Sequence, residues 1–164
     1  MGSTPTVYAA EACSGVTEIR CGVYAFFDLF MHNLGVCSLD QIAISVLATV
    51  IGHQPEKHQL IVDAGWMAMS RDRGTARQRR DFGYGLVCDE SGAVLEEGTL
   101  IMKGANQEHG LIEKVGEPLD LSRYPIGTRL RILPNHACPT AAPHAHLWWL
   151  EGDKATPLPH LRGW

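Results

Sequence analysis

The stretch Thr128 to Thr140, TRLRILPNHACPT, combines the pattern of a strand with a pair of residues that could bind a metal ion. Leu130 and Ile132 alternate with arginines, which is the period of a strand with one apolar and one polar face. The segment that follows lies between two prolines and places His136 and Cys138 two residues apart. This stretch therefore predicts a half-buried strand that leads directly into a candidate site.

Further short strands are predicted on both sides of this one, because apolar and β-branched runs are separated by turn residues. From residue 40 onward we expect six to eight strands, a number typical of a β-sandwich or a β-barrel. The predicted strands lie in QIAISVLATVIGH (41–53), HQLIVDAG (58–65), DFGYGLVCDESGAVLEEGTLIMKG (81–104, with a hairpin turn at DESG), HGLIEKV (109–115) and HLWWLEGDKATPL (146–158).

The segment before these strands is harder to interpret. Residues 17–31, TEIRCGVYAFFDLFM, open with a strand-like run that ends at Gly22. The apolar residues that follow fit either a strand or a short helix, since the periodicity does not separate the two.

Length and charge narrow the class of protein. A chain of 164 residues, 45% hydrophobic and 20% charged, is typical of one globular domain. A formal charge of −4 argues against nucleic-acid binding by electrostatics. The one basic run, residues 71–80, contains five arginines but no interleaved aromatic residue. We interpret it as a solvated loop or a partner-facing surface.

Compartment signals are few. No apolar stretch approaches the ~20 residues of a membrane span, and the first residues have no secretory pattern, so we expect no membrane association. The five cysteines are scattered without a CxxC motif, which favours free thiols in a reducing cytoplasm.

His136 and Cys138 form the strongest candidate site. If the segment is extended, alternate side chains point the same way and can share one ion. Imidazole nitrogen and thiolate sulfur are a ligand set that favours zinc. A lone HxC pattern also fits a buried cysteine beside a hydrogen-bonded histidine. His144 and His146 could complete a four-ligand structural site or be surface histidines.

Other polar stretches give weaker signals. GSTPT (2–6) and CGVY (21–24) could cradle a phosphate with backbone N–H groups and hydroxyls, but each also fits an ordinary turn. His109 could be a general acid or base or a structural histidine. Asp63, Ser70 and Asp72 surround a glycine turn, and spacing alone assigns them no chemistry.

Taken in order, several stretches resemble one known family over almost the whole chain. It is the D-serine dehydratase-like and D-threonine aldolase family of fold type III pyridoxal-phosphate (PLP) enzymes, which are related to alanine racemase. The matching stretches are GSTPT, GVTEIRCGVYAFFD, SVLATVIGH, IVDAGWMAMSRD, GYGLV, QEHG, RLRILPNHACPT and the closing RGW.

The resemblance implies a mainly β fold, the C-terminal sandwich- or barrel-like domain of alanine-racemase-type enzymes. Residues 32–164 would be this domain, and residues 1–31 would be the remnant of a truncated (β/α)8 barrel that binds PLP. In dehydratase-type members the residues that match His136 and Cys138 hold zinc beside the cofactor. The aldolase branch tends to have Asp at the position of Cys138, so the resemblance favours a dehydratase.

The implied reaction is elimination of ammonia from a 3-hydroxy D-amino acid, with zinc activating the 3-hydroxyl as leaving group. His109 would lie near the site in an unassigned catalytic role, and the family suggests no role for His144 or His146. By the family pattern, the residues around the cofactor phosphate would be Gly2, Ser3, Thr4, Gly22, Val23 and Tyr24.

This chain also departs from the family pattern. Members are more than twice as long, and their Schiff-base lysine lies near the start of the barrel. None of the four lysines here, Lys57, Lys103, Lys114 and Lys154, matches it. We therefore expect a fragment that is inactive alone and works as a homodimer or with a barrel-bearing chain.

Two other functions stay open at this point: a D-threonine aldolase-type C–C lyase, and a non-catalytic zinc-binding β domain that assembles with a partner. Exposed apolar edges in VYAFFDLF (23–30) would favour such pairing.

Overall fold

The structure, a computed structural model, describes residues 1–159. The closing RGW lies outside these residues. Within them, no helix exceeds five residues, so none is long enough to cross a membrane. The helices are α1 (Thr4–Tyr8), α2 (Leu29–Asn33), α3 (Trp66–Met69) and α4 (Ala137–Ala141); the strands are β1 (Val46–Gln54), β2 (Gln59–Val62), β3 (Gly85–Asp89), β4 (Leu100–Ala105), β5 (Gly110–Lys114), β6 (Arg129–Pro134), β7 (Leu147–Glu151) and β8 (Lys154–Leu158).

Six strands form a closed antiparallel barrel in the order β1-β2-β5-β4-β3-β6. It closes where β6 pairs with β1, and Val46 lies opposite Ile132 at this seam. Strands β7 and β8 form a separate hairpin. The expectation of a mainly β fold is confirmed, and of the two predicted architectures the barrel is the one formed.

Alternation along the strands divides the apolar residues between two clusters. Val87, Leu130 and Ile132 lie in the cluster inside the barrel. Leu86 and Leu133, on the opposite faces of their strands, pack in a second cluster with helix α2. Helix α2 covers the outer face of β3 and β6, so the end of β6 is buried on both sides. The alternation of buried and exposed residues at the start of β6 therefore does not continue to its end.

The N-terminal segment differs from its predicted form. The strand-like run before Gly22 is reduced to a single parallel bridge between Gly2 and Arg20. Residues Val23–Ala25 form a 3-10 helix, and α2 follows with Leu29 fully buried. The prediction that VYAFFDLF exposes apolar strand edges is therefore wrong, because it forms no strand and Phe27, Leu29 and Phe30 pack in the second cluster, on the outer face of the barrel. The interpretation of residues 1–31 as a barrel remnant stays a prediction.

A buried carboxylate stabilises the loop between β3 and β4. Glu96 has a side chain only 8% exposed, and it is paired with Lys114 at 2.8 Å and with Arg123. The Tyr124 hydroxyl donates a hydrogen bond of 3.0 Å to the same carboxylate. The hydrogen bonds from Lys114 and Tyr124 hold the pKa of Glu96 below its ordinary value of 4.5.

We expect Glu96→Gln to lower the free energy of unfolding at pH 7 by about 2 kcal/mol, because it removes the negative charge that pairs with Lys114 and Arg123 and that accepts the hydrogen bond of the buried Tyr124. A carboxyl whose pKa is lowered on folding stabilises the protein above its unfolded-state pKa, and this contribution is lost as the pH falls through the folded-state pKa. The difference between wild type and variant should therefore shrink below pH 4.5.

Urea denaturation at several pH values measures this difference. The control is Glu90→Gln, because Glu90 pairs with Arg129 while both side chains are more than half exposed. That change should cost less than about 0.5 kcal/mol. A difference between wild type and Glu96→Gln that does not vary with pH would contradict the role of this carboxylate.

Candidate metal and cofactor site

A buried amide fixes the chain where it leaves β6. The side chain of Asn135 is buried, and its oxygen accepts a hydrogen bond of 3.0 Å from the Thr75 hydroxyl. Its nitrogen donates to the carbonyls of Asp72 and Gly83 at 3.0 and 2.6 Å. The position of the next residue, His136, is therefore set by loops that lie far away in sequence.

His136 and Cys138 lie at the start of a helix and not along an extended segment. His136 is the N-cap residue of α4, with φ −143° and ψ 111°, and Cys138 is in the first turn. Pro139 is tolerated there because the first N–H groups of a helix have no partner within the helix. The Thr140 hydroxyl bonds the carbonyls of His136 and Met69 at 2.9 and 2.8 Å, which ties the turn to α3. The predicted extended geometry is wrong, although both side chains remain accessible to solvent.

A second buried carboxylate joins α4 to α2. Asp28 is 1% exposed; one oxygen accepts the Met31 N–H at 2.9 Å and the other accepts the Ala137 N–H at 3.0 Å. Burial raises the pKa of Asp28, and the two N–H groups oppose that effect. Since Ala137 lies between His136 and Cys138, this carboxylate holds the backbone that carries the pair.

His136 also has a partner that the sequence analysis did not identify. Its Nδ1 lies 2.7 Å from Oδ2 of Asp72. Histidines that bind metals in proteins usually direct their other ring nitrogen at such a carboxylate. The contact leaves Nε2 as the nitrogen that could bind an ion, with the exposed thiol of Cys138 nearby along the chain. A nitrogen and a sulfur donor fit zinc.

Additional ligands are not in place. Within residues 1–159, no group of three or more His, Cys, Asp or Glu side chains is arranged to hold a metal ion. The Nε2 of His144 lies 3.0 Å from the carbonyl of Ala68, and His146 is exposed. The alternative of a four-ligand structural site with His144 and His146 is therefore wrong. An ion on His136 and Cys138 would keep open positions, as catalytic zinc does.

The first predicted phosphate-binding stretch, GSTPT, pairs with Arg20, the residue directly before the second stretch, CGVY. The Ser3 N–H donates to the Arg20 carbonyl at 3.1 Å, and the Arg20 N–H donates to the Met1 carbonyl at 2.8 Å. The hydroxyl of Thr4 is buried without a hydrogen-bond partner. An unpaired buried hydroxyl is costly, so Thr4 fits a group that would accept its hydrogen, such as a phosphate. The roles of Gly2, Ser3, Thr4, Gly22, Val23 and Tyr24 stay predictions.

Asp28 links the predicted cofactor-binding turn at Gly22–Tyr24 to the metal pair. Tyr24 and Asp28 are four residues apart, so their Cα atoms are at most ~14 Å apart. Asp28 in turn bonds the residue between His136 and Cys138. Both candidate binding groups are therefore tied to the same short N-terminal segment.

His109 lies in the turn between β4 and β5, where its carbonyl accepts the Asn106 N–H at 2.8 Å. Its side chain is exposed and lines a shallow cavity of about 310 Å³ with Gln54 and Asn106. His136 and Cys138 do not line this cavity. The catalytic role of His109 stays a prediction.

The fold is similar to solved structures of a D-threo-3-hydroxyaspartate dehydratase and of an alanine racemase-like protein. The D-threo-3-hydroxyaspartate dehydratase of Delftia sp. superposes with a TM-score of 0.94 at 56% identity, covering 99% of this chain and 44% of that one. An alanine racemase-like protein of Idiomarina loihiensis superposes with a TM-score of 0.92 at 49% identity, covering 99% and 43%. The predicted relation to alanine-racemase-type enzymes is confirmed.

Sequence comparison then identifies the family. Residues 43–150 match the family described as "Putative serine dehydratase domain". The Delftia dehydratase is 55% identical over 168 residues, which cover 100% of this chain and 44% of the relative. The D-serine dehydratase of Dictyostelium discoideum is 40% identical over 78% of this chain and 32% of the relative. The chain belongs to the serine dehydratase domain family and spans less than half the length of these relatives.

Proposed function

We propose that this chain is the metal-bearing β domain of a zinc- and PLP-dependent lyase that removes the 3-hydroxyl and ammonia from a 3-hydroxy D-amino acid. The observation that carries the proposal is the pairing of His136 with Asp72, which leaves Nε2 available two residues before an exposed Cys138. Two solved variants of the Delftia dehydratase support it. One replaces a histidine with alanine, and the other, described as metal-free, replaces a cysteine two positions further on. His136 and Cys138 have the same spacing.

In this proposal, His136 and Cys138 hold the ion through nitrogen and sulfur. Zinc, when bound, polarises the substrate 3-hydroxyl as a Lewis acid, and PLP, when bound, stabilises negative charge at the substrate Cα. Asp28 keeps the first turn of α4 in place. The residues that would hold the cofactor phosphate are Thr4, through its unpaired buried hydroxyl, and those of the turn Gly22–Tyr24.

The substrate class follows from what the two relatives have in common. Their names specify D-threo-3-hydroxyaspartate and D-serine, which both carry a hydroxyl on C3. The matched part covers 44% and 32% of these two relatives, and we propose that the complete activity also uses the region of the enzyme outside it. The domain would work as a homodimer or together with a barrel-bearing chain. Exposed free thiols at Cys13 and Cys138 fit a reducing cytoplasm.

The reaction is tested by product analysis of this chain assembled with a barrel-bearing partner. Release of ammonia and a 2-oxo acid from a 3-hydroxy D-amino acid supports the dehydratase. Release of an aldehyde with shortening of the amino acid would instead indicate aldolase chemistry.

Zinc binding is tested on the chain itself with Cys138→Ala. We expect wild type to bind close to one zinc per chain, and the variant to lose at least about tenfold in affinity, because one of two protein ligands is gone. Metal content after dialysis against limiting zinc, measured by mass spectrometry, reports the difference.

The matched control is Cys13→Ala, because Cys13 is also an exposed free thiol but lies in the N-terminal segment. Its zinc content should equal that of wild type. Equal zinc content in wild type and Cys138→Ala would rule out the proposed site.

A further inference from the structure

We propose that Asp72 is a positioning residue that fixes the proton of His136 on Nδ1, so that Nε2 is the nitrogen that binds the metal ion. The inference rests on the proposed function, since it assigns the device that prepares His136 as a ligand. Three observations carry it: the contact with His136, the attachment of Asp72 to its surroundings, and the chemistry of the two facing groups.

The contact is short and direct. Oδ2 of Asp72 lies 2.7 Å from Nδ1 of His136, although the residues are 64 positions apart in sequence. The side chains are 33% and 44% exposed, so the pair lies at the surface, where an ion can reach the ring.

Asp72 is fixed at several points besides this contact. Its second carboxylate oxygen accepts the Gly74 N–H at 2.7 Å, and its own N–H donates to the Ser70 hydroxyl at 3.1 Å. Its carbonyl accepts the buried amide of Asn135 at 3.0 Å. These bonds leave Oδ2 directed at His136 and limit the rotation of the carboxylate. The ring is therefore oriented before any ion binds, which lowers the entropy cost of binding.

The chemistry of the contact selects one form of the ring. A carboxylate only accepts hydrogen bonds, whereas a neutral imidazole has one N–H donor and one acceptor nitrogen. At 2.7 Å an unprotonated Nδ1 would face Oδ2 with two lone pairs and no hydrogen between them. The proton of the neutral ring is therefore held on Nδ1, and the lone pair of Nε2 is free for a metal ion.

The informative variant is Asp72→Asn. Its amide oxygen can still accept the Gly74 N–H, but its NH₂ group then faces Nδ1 of His136 and favours the ring form with the proton on Nε2. We expect zinc affinity to fall about 10- to 100-fold, the range found when such partners of metal ligands are removed. Competition with a chromophoric chelator measures the affinity of the full chain.

A second measurement reports the ring form directly. In metal-free protein, at a pH where the ring is neutral, ¹⁵N–¹H NMR of histidine-labelled chain distinguishes a protonated Nδ1 from a protonated Nε2. Wild type should show the proton on Nδ1, and Asp72→Asn should show it on Nε2.

Asp81→Asn is the matched control. Asp81 also accepts the N–H of a glycine two residues further on, Gly83, but its other partner is Arg73 and not His136. Zinc affinity and the ring form of His136 should both match wild type within about twofold, because the carboxylate facing the ring is intact.

The outcomes separate this inference from the proposed function. If wild type binds no zinc, the proposed function fails, while the ring form in metal-free protein still decides the role of Asp72. The same ring form in wild type and Asp72→Asn overturns the inference. A loss of affinity without a change of ring form also overturns it, because that result indicates a general structural effect.

Discussion

Asp28→Ala is expected to lower the free energy of unfolding by about 3 kcal/mol, a large part of the stability of a typical domain. The change removes the acceptor of two N–H groups, those of Met31 and Ala137. The Ala137 N–H is then buried without a hydrogen-bond partner. A buried donor without a partner costs about 1–3 kcal/mol. Because the two N–H groups lie at the starts of two different helices, α2 and α4 lose the hydrogen bonds that join them through Asp28. The zinc affinity of the chain should fall with it, since His136 and Cys138 flank the released residue.

Urea denaturation followed by circular dichroism measures the stability loss. The control is Asp120→Ala, because Asp120 is also an N-cap carboxylate but is exposed and bonds only within its own turn, to Ser122. That variant should lose much less stability than Asp28→Ala, because water can replace the lost hydrogen bond at an exposed site. If Asp28→Ala and Asp120→Ala had equal effects, the connection between α2 and α4 would contribute nothing to stability.

Gly65→Ala is expected to cost about 3 kcal/mol by overpacking of the backbone. A Cβ atom at Gly65 would lie 2.4 Å from the carbonyl oxygens of both Asn106 and Gln107. Those same carbonyls accept the N–H groups of Trp66 and Met67 at the start of α3. The turn that carries His109 would have to move away from α3, and these two hydrogen bonds would lengthen or break.

Two measurements check this prediction. Urea denaturation should give the loss of stability, and the NMR signals of His109 should shift as the turn is displaced. Gly52→Ala is the control, because a Cβ atom there would meet only the side chain of Ile61 at 3.5 Å, an ordinary contact. A Gly65→Ala variant as stable as Gly52→Ala would contradict the close approach of the two backbones.

Much of the barrel could be predicted because strand signals are local. In RLRILP, alternating arginines and apolar residues indicated which side chains face the interior, and Leu130 and Ile132 do lie in the inner cluster. The N-terminal segment could not be predicted in the same way. Its apolar residues fit a strand and a helix equally, and only packing on the outer face of β3 and β6 decides between them.

The candidate site, like the fold, could be predicted only in part from the sequence. His136 and Cys138 were identified from their spacing and from the resemblance, although the helix that carries them was not. The Pro139-Thr140 pair was the signal for that helix, since proline is tolerated in a first turn. Asp72 and Asp28 had no such signal, because they lie 64 and 109 residues from their partners in this site.

By itself, the amino-acid sequence determined the β class, the positions of most strands, the family, and the histidine–cysteine pair. These properties depend on residue types and on their order over short distances. The tertiary structure decided that the sheet closes into a barrel, that the pair begins a helix, and that one carboxylate faces His136 while another binds the N–H between the two residues. Hydrogen bonds of this kind depend on distances between segments remote in the chain, and the pattern along one segment does not specify which other segment will lie beside it.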